Sequence, residues 1–452
     1  MSSFTSTTRG KMNNAFDPRN LGELDSATRE LIARRQRLLG PAYRLFYAEP
    51  LELVRGQGTL LFDRDGLDYL DAYNNVVPAG HSHPAIANEI ARQAATLCTN
   101  TRYLHESILN YAEELLPTFG GRIAESGHLM FTCTGSEAND LAVRIAKHHT
   151  GHRGIIVTSE AYHGNSELTA SFSPSLGEHS PLGAWVRRVP APDSYRISHE
   201  HMAAWWAERV AVEISDLERR GEGLAAFIAD SMFSSDGIFS QPVDLLAAVS
   251  SVVHRAGGLF IADEVQSGFA RTGERLWGFQ RHAIDPDIVT MGKPMGNGFP
   301  VAGVAMVAEV VAGFGRDTRY FNTFGGNTVA VAAAQATFDV MRQERLLENA
   351  DGVGRVLRRG FSELAARYPV IGDIRGAGLY AGVEIVSDRD SKQPDGTMAS
   401  RIVNGLRRRR VLISVTGAAG NTLKIRPPLV FSESDAGRLL GELEGVLGEV
   451  GR

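Results

Sequence analysis

Lys293 lies in Ile288-Val-Thr-Met-Gly-Lys-Pro-Met-Gly-Asn-Gly298, where a β-branched run meets a lysine among three glycines. An apolar flank strips water from the amine and makes its charge costly, which favours a neutral nucleophile able to form a Schiff base. A lysine in a flexible loop fits the same residues. Upstream, Gly257-Gly-Leu-Phe-Ile-Ala-Asp-Glu-Val265 reads as a buried parallel strand with Asp263 at its carboxyl end. A buried aspartate calls for a cation, and a pyridinium nitrogen is one. A helix cap or the magnesium-holding strand of a P-loop protein would also end in Asp. The chain contains no Gly-x4-Gly-Lys-Ser/Thr, so the P-loop reading fails. Lys293 and Asp263 together fit pyridoxal 5'-phosphate, the amine on its aldehyde carbon and the acid on its ring nitrogen.

That cofactor also needs an anion cradle. His128-Leu-Met-Phe-Thr-Cys-Thr-Gly-Ser-Glu-Ala-Asn-Asp140 reads as strand, tight turn and helix start. Ala138, Leu141, Ala142 and Ile145 make a helical apolar stripe, and Gly151 stops it. Gly135 and Ser136 would then offer amides at the positive end of a helix, although a simple capped helix looks the same. Tyr162-His163, after the strand-like Gly154-Ile-Ile-Val-Thr-Ser159, can bring a ring to the cofactor face, or serve structure alone.

The elements that must position these residues alternate. Short apolar runs at 129–134, 154–158, 225–230, 259–263 and 288–291 are separated by helical or loop segments. This predicts an α/β fold: a mostly parallel central sheet with helices on both faces. The ends differ. Gly58–Gly66 followed by Asp68–Asp71 predicts a hairpin, and helices near 336–367 precede strands near 379–386, 411–414 and 422–426. The expected organisation is an N-terminal arm and part of a small domain (1–79), a large cofactor-binding domain (80–335), and the rest of a composite α+β small domain (336–452). A length of 452 residues is more than one core usually supports.

Five motifs occur in order: Gly135-Ser-Glu-Ala-Asn139, Tyr162-His-Gly164, Asp263-Glu-Val-Gln-Ser-Gly-Phe-Ala-Arg-Thr-Gly273, Gly292-Lys293 and Asn322-Thr-Phe-Gly-Gly326. Together they resemble the class III (omega) aminotransferase family of fold type I pyridoxal-phosphate enzymes, over nearly the whole chain after about residue 30. The resemblance implies that Lys293 carries the cofactor and Asp263 pairs with its ring nitrogen. It implies that Thr134, Gly135 and Ser136 hold the phosphate, with Tyr162 and His163 on one ring face, Val265 on the other, and Gln266 near the phenolic oxygen. Thr323 would reach the phosphate in a neighbouring subunit, which implies a homodimer with a shared active site.

Two departures bear on the reaction. Aminotransferases of the family that use carboxylate acceptors commonly carry Leu-Arg-Ile-Ala-Pro-Pro-Leu, whereas this chain has Leu423-Lys-Ile-Arg-Pro-Pro-Leu429. Lys424 stands where the forked arginine belongs, and the two are not interchangeable there. Ser235 stands where the 4-aminobutyrate enzymes carry a glutamate switch. Tyr69–Val76, Gly80–Pro84, Thr99–His105 and Tyr320–Gly326 are instead similar to the branch of phospho-lyases acting on ethanolamine phosphate and phosphohydroxylysine. The resemblance implies a lyase taking a small phosphorylated amine, O-phosphoethanolamine, to acetaldehyde, ammonia and phosphate. Asn74, Asn75, Lys424 and Arg426 are its candidate substrate ligands, though the asparagines also suit a plain turn. An omega-aminotransferase with a keto-acid acceptor is the alternative.

Composition narrows the class. A net charge of -5 argues against a nucleic-acid partner. Two cysteines give no disulfide framework, and the first twenty residues are polar, so a cytoplasmic protein with a mobile arm to about Asn20 is expected. The uncharged stretch Tyr320–Phe338 carries too many polar residues for a membrane span and reads as buried protein. His81-Ser-His83 lacks a third ligand, so no metal is expected. Gly376–Ala381 mimics a dinucleotide fingerprint but precedes a strand. Arg407–Arg410 reads as a solvated helix end, and Trp205-Trp206 as packing.

Overall fold

The chain enters its folded body through an antiparallel meander, β1 Leu53–Gln57, β2 Leu60–Asp63 and β3 Asp68–Asp71. The turn between β2 and β3 closes because Asp63 Oδ1 accepts from the amides of Asp65 and Leu67, at 3.0 and 2.9 Å. This computed structural model describes residue 12 and residues 14–450. The expected arm up to residue 11, with residue 13, lies outside the described residues. Residues 14–20 are not an arm. Ala15 bridges to Phe46, Phe16 is buried, and Asp17 caps a 3-10 turn at Pro18–Glu23. One phenylalanine in a polar run is enough to anchor the segment.

The central sheet takes β4 His128–Thr132, β5 Gly154–Thr158, β6 Val186–Val189, β7 Leu224–Asp230, β8 Leu259–Asp263, β9 Ile288–Met291 and β10 Ala302–Met306. Their order is β4-β10-β9-β8-β7-β5-β6. Only β10 runs against its neighbours. The inner strands are buried along their length, as continuous apolar runs must be when helices cover both faces. Helix Gly135–Thr150 packs on β7, β9 and β10, while His199–Arg219 packs on β5 and β6 and against Leu245–Arg255. Two strands escape a reading for apolar runs. β6 is an edge strand carrying Arg187 and Arg188, and β10 is a short run interrupted by Gly303.

The remaining strands are β11 Ile371–Ala377, β12 Tyr380–Asp388, β13 Gln393–Pro394, β14 Val411–Leu412, β15 Ser414–Thr416 and β16 Thr422–Ile425. They build an antiparallel sheet in the order β11-β12-β16-β15, with β13 added to β12. β14 leaves it to pair in parallel with β3, so the two ends of the chain share a sheet. Helix Thr328–Gln343 runs unbroken through residue 335, and the break comes at Glu344-Arg345.

Other expectations resolve individually. Gly376–Ala381 is the β11–β12 hairpin. Trp206 is fully buried, its Nε1 donating to Pro190 O at 2.7 Å. The arginine run is less solvated than its charge suggests: Arg407 pairs with Glu49, Arg409 with Glu442 and Glu449, and Arg410 with Asp68. Tyr320–Phe338 is buried in its helical part and at Gly325-Gly326, not throughout. Phe321 and Phe324, in the loop before Asn327, lie exposed on this chain, although the Arg102 guanidinium stacks on the Phe321 ring at 3.8 Å from its centre. Cys98 and Cys133 are free thiols, and among the described residues no helix is long and apolar enough to cross a membrane.

Candidate active site

β4, β5, β7, β8 and β9 all point their carboxyl ends the same way, and the candidate residues follow those ends. Thr134 comes two residues after β4, Tyr162 and His163 lie after β5, Asp263 ends β8, and Lys293 follows β9 by two. Together they line one cavity of about 250 Å³, with Gly135, Ser136, Val265 and Gln266 also in its wall. Open α/β sheets bind ligands at such a crevice.

Local chemistry fixes each wall. Thr134 caps helix Gly135–Thr150 through a reciprocal capping box: Glu137 N donates to Thr134 Oγ1 at 3.1 Å, and Glu137 Oε2 accepts from the amides of Cys133 and Thr134. Gly135 and Ser136, the first residues of the helix, are left facing the cavity at the positive end of the macrodipole. A Cβ on Gly135 would come within 2.8 Å of Val265 Cγ1, so only glycine lets the cradle close against that wall. Gly164, at φ +142°, lets the Tyr162-His163 loop pass within 2.6 Å of Ser136 Oγ, measured from the position a Cβ would take.

Asp263 is buried and collects three donors. Its Oδ2 accepts from Asn139 Nδ2 at 2.8 Å and His163 Nδ1 at 2.7 Å, and its Oδ1 from Val265 N at 3.0 Å. Among the described residues no lysine or arginine pairs with it. A protonated ring nitrogen in the cavity would supply the missing cation. Burial, then the Arg426 charge, lowers the Lys293 amine to about 8, against the pull of Asp263 and Asp230. Roughly a tenth of the amine is then neutral at pH 7, and that reactive form is what a Schiff-base lysine needs. Burial, then the Asp263 charge, raises the Tyr162 phenol, keeping that ring neutral. A phosphate cradle, a nucleophilic amine and a strand-end carboxylate at the far wall fit pyridoxal phosphate.

The substrate candidates fall outside the cavity wall. Arg426 NH1 donates to Gln266 Oε1, and its guanidinium stacks on Tyr73 at 4.6 Å from the ring centre. Lys424 Nζ donates to Ser234 O at 3.3 Å. Burial, then Arg426, pushes Lys424 well below the usual lysine range. Asn74 serves the turn at Asp71, whose Oδ1 accepts from the amides of Tyr73 and Asn74. Asn75 is buried with Nδ2 unpartnered. Thr323 is exposed on this chain and does not reach the cavity. His81 pairs with Asp71 at 2.7 Å and His83 with Glu344 at 3.0 Å.

The structure adds residues that the motifs did not single out. Asn139 bridges Asp263, His163 O and Thr290 Oγ1, at 2.8, 2.8 and 2.6 Å. An asparagine inside a buried apolar stripe was the available signal. Asp230 also lines the cavity, at the end of an apolar strand like that of Asp263. Tyr380 donates to Gln266 Oε1 at 3.4 Å from a strand far along the chain.

Comparison with known proteins points one way. The family model described as Aminotransferase class-III matches residues 47–447. A Drosophila melanogaster protein named alanine–glyoxylate aminotransferase 2-like is 38% identical, over 91% of this chain and 85% of its own. Ethanolamine-phosphate phospho-lyase homolog 1 of Caenorhabditis elegans is 36% identical, over 92% and 93%. Among solved structures, a phospholyase from Arthrobacter in complex with phosphoethanolamine superposes with a TM-score of 0.89 at 42% identity, over 92% of this chain and 99% of that one.

Proposed function

The chain belongs to the class-III aminotransferase family of pyridoxal-phosphate enzymes, and from that premise we propose that it is a phospho-lyase. Its substrate is O-phosphoethanolamine, and its products are acetaldehyde, ammonia and phosphate. One observation carries the reading. Lys424 and Arg426 are 7% and 6% exposed, beside the cavity, and among the described residues neither has a carboxylate within ion-pair distance. The Arg426 guanidinium keeps its charge and needs a counter-charge, which a phosphate dianion brings while also favouring the charged form of Lys424. Arg426 Nε and Asn75 Nδ2 are further buried donors without partners. The similarity to a phospholyase holding phosphoethanolamine supports the same substrate. The similarity to proteins named aminotransferases keeps a second reading, transamination to a keto acid, in view.

Bound pyridoxal phosphate supplies an electron sink for the pair left when a proton leaves the carbon bearing nitrogen. The chain's residues do the rest. Lys293 would hold the cofactor, and its neutral amine would take that proton. Asp263, braced by Asn139 and His163, would pair with the ring nitrogen. Thr134, Gly135 and Ser136 would hold the cofactor phosphate, and Tyr162, Val265 and Gln266, which line the same cavity, would contact its ring. Lys424, Arg426 and Asn75 receive the substrate phosphate. Thr323, exposed here, would reach the cofactor phosphate of a second copy in a cytoplasmic homodimer, which would also cover Phe321 and Phe324. The test is whether O-phosphoethanolamine alone, with no keto acid, yields phosphate.

A further inference from the structure

The turn that carries Lys293 holds a second polar residue whose side chain is fully engaged. From Gly292 the chain runs through successive tight turns, Met295 N donating to Gly292 O at 2.8 Å, Asn297 N to Pro294 O at 3.2 Å and Phe299 N to Gly296 O at 2.9 Å. Asn297 sits at φ +48°, in the left-handed region where glycine is the easier residue. Gly296 and Gly298 flank it, so an asparagine between them calls for a reason. Its carboxamide supplies one. Oδ1 accepts from Ala79 N at 3.0 Å, and Nδ2 donates to Gly80 O at 3.0 Å. Main-chain partners of opposite kind leave no doubt which end is oxygen.

The segment it grips belongs with Arg426. Residues 72–80 join the Arg426 strand end by two main-chain bonds, Arg426 N to Ala72 O at 2.9 Å and Leu429 N to Pro78 O at 2.8 Å. Tyr73 lays its ring under the Arg426 guanidinium, and Asp71 Oδ1 gathers the amides of Tyr73 and Asn74. Asp71 Oδ2 meets His81 Nε2 at 2.7 Å and closes the mouth of the loop. Loop and Arg426 segment thus form one body. Its other side is tied to the segment after β8, where Arg426 NH1 donates to Gln266 Oε1 and Arg271 NH1 to Pro427 O. Asn297 ties it to the Lys293 turn. A substrate has to span that gap, its nitrogen end at Lys293 and its phosphate at Arg426. Resting on the phospho-lyase reading, we propose that Asn297 is a positioning residue that fixes this span and so selects a phosphorylated amine by its length. Asn297 is not in the cavity wall and acts only through the loop it holds. A displacement of about 1 Å across such a span can cost about 10²-fold.

Two phosphonates that cannot eliminate phosphate measure the span. In 3-aminopropylphosphonate a methylene replaces the bridging oxygen of O-phosphoethanolamine, so nitrogen and phosphorus keep their separation; 2-aminoethylphosphonate is one atom shorter. Calorimetry on wild-type holoenzyme should show the longer one preferred by at least about tenfold, the worth of one charge-assisted hydrogen bond. Asn297→Gly keeps the left-handed backbone without strain and removes both bonds. It should weaken the longer phosphonate and bring the preference below about threefold. Asn297→Asp suits the same backbone and keeps the Ala79 contact, but as a carboxylate it cannot donate to Gly80 O, so the preference should narrow there too. Arg426→Met should cost the longer phosphonate less in Asn297→Gly than in wild type, since both residues act through one body. The rate at which apoenzyme covalently takes up pyridoxal phosphate should stay within a few-fold of wild type in both Asn297 variants. Equal binding of the two lengths by wild type, a folded variant that keeps the wild-type preference, or equal Arg426→Met losses in both backgrounds overturns the proposal. Variants that fail to fold, or that lose cofactor uptake as much as phosphonate binding, make Asn297 a residue of general stability and overturn it as well. The phospho-lyase reading fails by a separate result, phosphate released from O-phosphoethanolamine only when a keto acid is supplied; the length preference is read from binding and needs no turnover.

Discussion

Arg426→Met separates two jobs that the structure gives to one guanidinium. Methionine keeps much of the volume over Tyr73, and replacing a buried, unpaired cation by an apolar group of similar size is neutral or stabilising as often as not. The fold should therefore survive. The first job is to meet the substrate phosphate. A hydrogen bond to a charged group contributes about 1.5–3 kcal/mol, and each 1.4 kcal/mol is about tenfold, so kcat/KM for O-phosphoethanolamine should fall by about tenfold to 150-fold, mainly through KM. The second job is electrostatic. Arg426 is the largest influence after burial holding the Lys293 amine at about 8. Removing that cation raises the amine, so less of it is neutral at a given pH. The rate at which apoenzyme covalently takes up pyridoxal phosphate, followed by absorbance, should rise through its acid limb at higher pH in the variant than in wild type. A variant with unchanged KM would refute the phosphate role. An acid limb that stays in place would refute the coupling between Arg426 and Lys293.

The other variants probe the cofactor and the core. Lys293→Ala should abolish turnover while retaining cofactor through Asp263 and the helix cradle; borohydride reduction of wild type followed by peptide mapping should find the adduct on Lys293, and an adduct on another lysine sinks the assignment. Asp263→Asn should keep the fold but slow the chemical step by at least about 10²-fold, since the ring loses its cationic character; near-normal single-turnover rates would make the acid structural only. Burial raises the Asp236 carboxyl from 3.8 to about 7. The unfolded chain thus ionises first, and this group's contribution to stability is lost as pH rises from about 4 to about 7, by at most about 4 kcal/mol. Asp236→Asn should lose less stability than wild type between pH 5 and pH 8 in urea unfolding, and equal losses would contradict the buried-acid reading.

Much of the site is legible in sequence because parallel strands deliver residues at their carboxyl ends. Lys293, Asp263 and the cradle at Thr134–Ser136 each follow an apolar run, and the capping box is written within four residues. Asp230 obeys the same rule, yet no motif pairs it with a partner; its place comes from register with Asp263. Arg426 and Gln266 meet across 160 residues, a contact set by how the antiparallel sheet docks on the central one. Asn139 looks like one polar interruption of a helix stripe until strand ends converge on it. β6 and β10 are hidden for a simpler reason, since the two arginines of the edge strand and Gly303 near the start of β10 weaken the apolar signal. Thr323 is exposed in one chain, so its proposed role belongs to an assembly and has no local signature.

The central claim is elimination rather than transamination, and cofactor economy separates them. Transamination stops after one turnover without a keto acid, because the amino group remains on the cofactor; elimination returns the aldehyde form each cycle. Purified holoenzyme given O-phosphoethanolamine alone should release phosphate, ammonia and acetaldehyde in equal amounts over many turnovers. Phosphate appearing only after pyruvate or 2-oxoglutarate is added, or efficient transamination of unphosphorylated amines with those acceptors, would contradict the account.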